Sequence, residues 1–365
     1  MEKIKILQVV PSLSRTNGVA EYICNYFGNI DKEKFEFTFL VLNKRDESRY
    51  NWILSKKGKI SELFKEKNIF KYFYKINKFF KENKFDIVHC HVANYGFFIL
   101  YFAKKYNVKV RIIHSHATMS GETFIKQLRN NILTFFTKKF ANINFACSEK
   151  AGNFMFKKDE YTVINNAIEI EKYTFSDKYR QEIRNEICAN ESDIVLGTIG
   201  RFCKQKNQLF LLDVLENLKN NSNKKYKLLL VGNGVLEGVI REEVIKRRLE
   251  EDVIILTNRE DTYKIYSAMD IFLLPSLYEG LPVVGIEAQA NGVPIIFSNN
   301  ITRELKIKEN IYYLENNEQL WKNKIDVLST RDRVHENDRM NSKYNIKKET
   351  LKMEKIYENL LQEKK

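Results

Sequence analysis

Residues 270–294 read DIFLLPSLYEGLPVVGIEAQANGVP, and this stretch decides the fold. The apolar run Ile271 to Leu274 predicts a buried strand of a parallel sheet. Pro275 ends it, and a polar loop follows with Ser276, Tyr278, Glu279 and Gly280. Pro282 suits the first turn of a helix, where a missing N–H costs nothing. Gly292 and Pro294 close that helix, and Ile295 to Phe297 begin the next strand. Glu279 therefore belongs to a loop at the carboxyl end of a strand, and Glu287 to the helix behind it. Ligands of open α/β sheets bind in the crevice at that edge.

Glu279 and Glu287 are separated by seven residues, a spacing that lets both carboxylates face one crevice. Each can accept hydrogen bonds from the hydroxyls of a sugar or a ribose. Backbone N–H groups near Gly280 and Leu281, at the start of the helix, suit a phosphate. Hydroxyls, phosphates and hydroxyls in sequence describe a nucleotide sugar. The run YEGLPVVGIEAQANGVP as a whole resembles the donor site of retaining glycosyltransferases of family 4, which have the GT-B fold. The alternative is a strand–turn–helix with solvated glutamates.

The chain has 365 residues, 44% of them hydrophobic, including 25 Phe and 19 Tyr, enough to fill two cores. No apolar run is long enough to span a bilayer. MEKIKILQVV enters a strand directly and does not read as a signal peptide. Five scattered cysteines, Cys24, Cys90, Cys147, Cys188 and Cys203, form no metal-type pairing and fit a reducing compartment. A net charge of +14 calls for an acidic partner: phosphorylated ligands, anionic lipid or nucleic acid. No RNA-binding aromatic motif or zinc-finger spacing supports nucleic acid.

Taken in order, residues 4–10 and 35–42 read as strands. Between them the segment Asn17-Gly18-Val19-Ala20-Glu21 opens a helix, and Gly18 permits close backbone approach to a phosphate or forms an ordinary tight turn. Residues 61–84 place Phe70, Phe73, Ile76 and Phe80 at helical spacing among many lysines. They read either as a core stripe with a solvated lysine face or as a basic helix on an anionic membrane. Two strands, 86–91 and 109–115, end in His91 and in His114 and His116. His89, one residue inside its strand, is expected to be packed. Residues 122–140 put Ile125, Leu128, Ile132 and Phe136 on one helical face beside Lys126, Arg129, Lys138 and Lys139, a second basic amphipathic segment.

The resemblance covers nearly the whole chain and is thinnest between 43 and 84. It implies two Rossmann-like domains facing across a cleft: 1–168 on the acceptor side, 169–343 on the donor side, and a helix in 344–365 crossing back to the first domain. Gly-Arg-x4-Lys at 200–206 matches the family element whose Arg201 and Lys206 hold the donor diphosphate. Fixed cations there stabilise the charge of a departing nucleoside diphosphate. By the same carry-over Glu279 contacts donor sugar hydroxyls and Glu287 the ribose. Gly18, Gly232, Asn258, Arg259, Tyr278, Gly280 and Leu281 line the donor. His114, or else His116, lines the reaction centre, with His91 and His116 on the acceptor side. Segments 143–156 and 161–173 are similar to capsular and exopolysaccharide members.

The implied activity is transfer of a sugar, with retained configuration, from a UDP-sugar to a lipid-linked saccharide. It needs no metal and no cofactor, and takes place at the inner face of the plasma membrane without nucleic acid. A UDP-GlcNAc 2-epimerase-like enzyme on the same fold and a non-catalytic nucleotide-sugar or polyanion binder are the alternatives.

Overall fold

The computed structural model describes residues 2–14, 18–43, 49–64, 66, 68–118, 123–329, 333, 340 and 343–363. Asn17, and Lys65 and Lys67 among the lysines of residues 61–84, lie outside them. The chain divides into two compact units: 1–167 with 346–365, and 168–345. The first unit carries 35 Lys and Arg against 19 Asp and Glu, and the second 26 against 28. The excess positive charge therefore resides entirely in the first unit.

The first unit alternates strands and helices. In order these are β1 (Ile4–Val10), α1 (Gly18–Asn29), β2 (Phe35–Val41), α2 (Tyr50–Ser55), β3 (Lys59–Glu62), α3 (Ile69–Glu82), β4 (Ile87–Cys90), α4 (Gly96–Lys105), β5 (Val110–Ser115), α5 (Phe124–Phe140), β6 (Ile143–Ala146), α6 (Glu149–Phe156) and β7 (Thr162–Val163). All strand pairs are parallel, in the order β3-β2-β1-β4-β5-β6-β7. Helices cover both faces, so the last five residues of β1, all apolar but Gln8, are buried. One core layer joins Tyr22, Phe27, Phe35 and Phe37 to Met353 and Tyr357 of the C-terminal helix, Ile346–Glu363. Glu354 of that helix accepts from the Asp31 N–H at 2.8 Å.

The lysine-rich helix α3 resolves its two readings in part. Tyr72, Ile76 and Phe80, four residues apart, are buried against α4 and the sheet. Phe70, assigned from its spacing to the core stripe, is instead 83% exposed. It stands in the first turn, where Asn68 caps the helix by accepting from the Phe70 and Lys71 N–H groups. The true stripe runs through Tyr72, on the other side. Several lysines find local acids: Lys71 and Lys75 pair with Glu66, and Lys78 with Glu82.

The second unit comprises α7 (Ile170–Tyr173), α8 (Asp177–Glu186), β8 (Ile194–Ile199), α9 (Gln208–Asn221), β9 (Tyr226–Val231), α10 (Glu237–Lys246), β10 (Val253–Leu256), α11 (Thr262–Ala268), β11 (Ile271–Leu274), α12 (Val283–Asn291), β12 (Ile295–Ser298), β13 (Ile311–Leu314) and α13 (Glu318–Leu328). Its parallel sheet runs β10-β9-β8-β11-β12-β13. Each sheet reverses winding direction once, between β1 and β4 and between β8 and β11, and a crevice opens there at the carboxyl ends. Pro282 proves to be the N-cap of α12 rather than part of its first turn. Gly292 closes the helix at φ 83, a left-handed conformation glycine adopts without steric cost.

Candidate functional site

Each switch point gathers a set of polar side chains within its own unit. In the second unit, β8 and β11 are hydrogen-bonded neighbours, so the loops that follow them meet. Leu277 N–H donates to the Gln205 carbonyl at 2.8 Å, and the Gln205 side chain donates to the Tyr278 carbonyl at 2.9 Å. Ser298 anchors the same loop by donating to the Ser276 carbonyl at 2.5 Å. These ties hold Lys206 Nζ 2.7 Å from Glu279 Oε1, both side chains largely buried. Arg201 stands exposed at the head of the same loop, its carbonyl accepting from Gln208 at 3.0 Å. Lys206 and Glu279 thus lie together before α12, whose first-turn N–H groups add positive potential.

Glu287, 4% exposed on α12, accepts a 2.6 Å hydrogen bond from Tyr266 of α11. A buried carboxylate needs such donors to remain bound without large cost. Tyr266 is a residue the sequence reading did not single out; a tyrosine amid the buried face of a short helix carries no local sign of its partner.

The neighbouring loops are built by close backbone packing. Gly232 has φ 150, and a Cβ there would lie 2.0 Å from the Gly200 carbonyl oxygen; one on Gly234 would lie 2.2 Å from that of Phe202. These glycines therefore let the β8 and β9 loops touch each other, which explains them without a ligand. Asn258 exchanges hydrogen bonds with Asn233. The Arg259 guanidinium is engaged by Asp261 at 2.8 Å and by Glu186. Gly280 and Leu281 are buried beside Glu279, and Tyr278 is half-buried.

In the first unit, Gly18 begins α1 with no atom within 4 Å of the position a Cβ would take. His91 follows β4, His114 lies in β5 and His116 just beyond it. The rings form one stack with His89: His89–His91 centroids are 4.3 Å apart and His114–His116 4.1 Å. His89 is buried as expected, but it is hydrogen-bonded to Tyr357 at 2.7 Å and to His114 at 3.0 Å. His91 bonds to Gln8 at 2.7 Å and to His116 at 2.8 Å. Tyr22 closes over the stack, edge-on to His114 at 5.1 Å. Burial pushes the pKa of His89, His91 and His114 well below the ordinary value, and that of His116 down to about 3. All four are therefore neutral at pH 7. Ring nitrogens of His89, His91 and His114 lie within 4.8 Å of one another, and the nitrogens between these rings are already shared in hydrogen bonds.

Helix α5 of the first unit is exposed over most of its length. Thr123 caps it, and among its residues only Thr137 is buried. Phe124, Ile125, Leu128, Ile132, Phe135 and Phe136 are 41–80% exposed. Lys126, Arg129, Lys138 and Lys139 share the helix, which contains no acid. Among the described residues no helix is long and apolar enough to cross a membrane.

The family model for Glycosyltransferase Family 4 matches residues 16–172, and that for Glycosyl transferases group 1 matches 179–349. EpsF of Bacillus subtilis (strain 168), assigned as a glycosyltransferase, is 31% identical over 82% of this chain and 80% of its own length. An Escherichia coli UDP-Gal:alpha-D-GlcNAc-diphosphoundecaprenol alpha-1,3-galactosyltransferase is 26% identical over 81% of this chain and 80% of its own. The capsular polysaccharide biosynthesis glycosyltransferase CapH of Staphylococcus aureus is 26% identical over 88% and 92%. Among solved structures, Anabaena Alr3699/HepE in complex with UDP-glucose superposes with a TM-score of 0.80 at 14% identity, covering 98% of this chain and all of that one. Fold, family models and a relative above 30% identity agree: the chain is a glycosyltransferase with the GT-B fold and belongs to Glycosyltransferase Family 4.

Proposed function

We propose that this glycosyltransferase moves a sugar from a UDP-sugar to a lipid-linked saccharide, with retained anomeric configuration, in capsule or exopolysaccharide assembly. The observation that carries the reading is the Lys206–Glu279 pair at 2.7 Å, with Arg201 on the same loop. Donor diphosphate binds Arg201 and Lys206, and Lys206 then exchanges its carboxylate partner for phosphate. Glu279, released, accepts from the sugar hydroxyls, while Glu287 accepts from the ribose. As the glycosidic bond breaks, negative charge grows on the leaving diphosphate, and the two cations stabilise it more than the ground state. Their charge takes the part of a divalent ion, and the chain has no Asp-x-Asp motif to hold one. The UDP-sugar and the lipid-linked acceptor draw support from the names of the Escherichia coli relative and the HepE complex, and the pathway from that of CapH.

The exposed apolar and basic faces of α5 support attachment to an anionic membrane, where such an acceptor resides. Donor choice is tested by incubating the protein with a panel of nucleotide sugars and measuring which it slowly hydrolyses. Release of UDP from one UDP-sugar is expected; consumption of a different nucleotide class alone would overturn the donor assignment.

A further inference from the structure

The four stacked histidines belong to a single hydrogen-bonded system, and its two arms meet at the side-chain amide of Gln8. From the amide nitrogen one arm runs to Tyr357 Oη at 3.3 Å, from there to His89 Nδ1 at 2.7 Å, and from His89 Nε2 to His114 Nδ1 at 3.0 Å. From the amide oxygen the other runs to His91 Nε2 at 2.7 Å, and from His91 Nδ1 to His116 Nε2 at 2.8 Å. Every member lies in the first unit.

The protons can be counted along each arm. A neutral imidazole donates from one nitrogen and accepts at the other, and burial keeps all four rings neutral. The amide nitrogen of Gln8 can only donate, so the Tyr357 oxygen accepts and its own proton goes to His89 Nδ1. Burial holds that phenol protonated. His89 then carries its proton on Nε2 and donates to His114 Nδ1. The proton of His114 is left on Nε2, a buried atom with no hydrogen-bond partner in the protein. In the other arm the Gln8 oxygen can only accept, so His91 donates from Nε2 and accepts at Nδ1 from His116 Nε2. His116 is left with a bare Nδ1.

We infer that Gln8 and Tyr357 are positioning residues that hold all four histidines in the Nε2–H tautomer, so that His114 offers a hydrogen-bond donor and the adjacent His116 an acceptor. Turning the Gln8 amide over reverses every bond in both arms, and the ends then exchange roles. The choice between the two orders therefore rests on one amide, and the arms are coupled through it. A donor beside an acceptor matches a sugar hydroxyl, which gives one hydrogen bond and takes another; this use rests on the reading of His114 as lining the reaction centre and of His116 as an acceptor-side residue. The tautomer lock does not depend on that reading.

Nitrogen-15 NMR of the full-length protein with labelled histidine, assigned by single His→Gln variants, reads the tautomers directly. All four histidines are expected as Nε2–H. Tyr357→Phe removes the donor to His89, so His89 and His114 should become tautomer mixtures while His91 and His116 keep Nε2–H. Gln8→Met removes both anchors and should mix all four. His114 found as Nδ1–H in the unaltered protein, nitrogen shifts of metal-bound rings, or spectra unchanged in both variants would overturn the inference. Glycosyl transfer by Tyr357→Phe is expected to fall about tenfold in kcat, with the KM for donor nearly unchanged. Unchanged kcat with the tautomers altered as expected would remove His114 from the reaction centre and leave the lock in place.

Discussion

Lys206 Nζ lies 2.7 Å from Glu279 Oε1, joining two residues 73 positions apart in the chain. The contact exists because β8 and β11 are neighbours at the point where the sheet reverses direction. Lys206→Ala leaves a buried carboxylate without this cation. It should cost roughly 3–5 kcal/mol of stability and lower turnover about 100-fold. Arg201 is exposed, so Arg201→Ala should leave the unfolding midpoint unchanged while lowering turnover about 10- to 100-fold. Denaturant titration and kcat measured on the same variants separate the effects. Normal turnover in both would sink the diphosphate assignment.

Tyr266→Phe removes the 2.6 Å hydrogen bond to Glu287 and leaves the ring in place. Loss of this bond should raise the KM for donor about 5- to 20-fold with little change in kcat, and stability should drop about 1–3 kcal/mol. An unchanged KM would mean that Glu287 does not reach the donor.

The histidine stack makes the first unit acid-sensitive. His89, His91 and His114 have folded pKa values well below the ordinary 6.5 because burial disfavours the imidazolium. Below pH 6.5 the unfolded chain binds protons that the folded one refuses, so stability falls as pH falls and is flat above about pH 7. At pH 5.5 the three rings together cost on the order of 4 kcal/mol relative to pH 7.5. Trp52 in the first unit and Trp321 in the second are the two tryptophans of the chain. Fluorescence of a Trp321→Phe variant therefore reports the first unit. Equal denaturation midpoints at pH 5.5 and 7.5 would show that the rings are not held neutral.

The strand, loop and helix over 270–294 were legible because Pro275, Pro282 and Gly292 mark their boundaries locally. Glu279, Lys206 and His114 could be named from strand tips and motif spacing. Their partners could not. Gln8 and Tyr357 are 349 residues apart, and nothing near either one announces the other. Gln8 offered only a faint sign, an amide amid the apolar run Ile6 to Val10. Phe70 failed for a different reason: several phases of an aromatic-rich helix look equally apolar, and packing against α4 selects the one through Tyr72, Ile76 and Phe80. The partner of Arg259 was equally hidden, because charge in a loop says nothing about Glu186, which α8 brings to it.

Vesicle binding by α5 separates an exposed apolar helix from a merely solvated one. The protein should sediment with vesicles rich in anionic lipid at low salt and release at high salt, since each cation near the surface contributes about 1 kcal/mol and is screened. Ile125→Glu with Phe135→Glu should abolish sedimentation without altering stability, because the two side chains are 80% and 64% exposed. Equal binding to neutral vesicles, or binding by the double variant, would contradict the membrane reading.

The account is tested most directly by following radiolabel from a UDP-sugar into a lipid-linked saccharide acceptor in the presence of a chelator. Label should enter the lipid phase with anomeric configuration retained, at a rate the chelator leaves unchanged and Lys206→Ala reduces about 100-fold. Label appearing only as free sugar or as an isomerised donor, or transfer that stops in chelator and returns with manganese or magnesium, would contradict it.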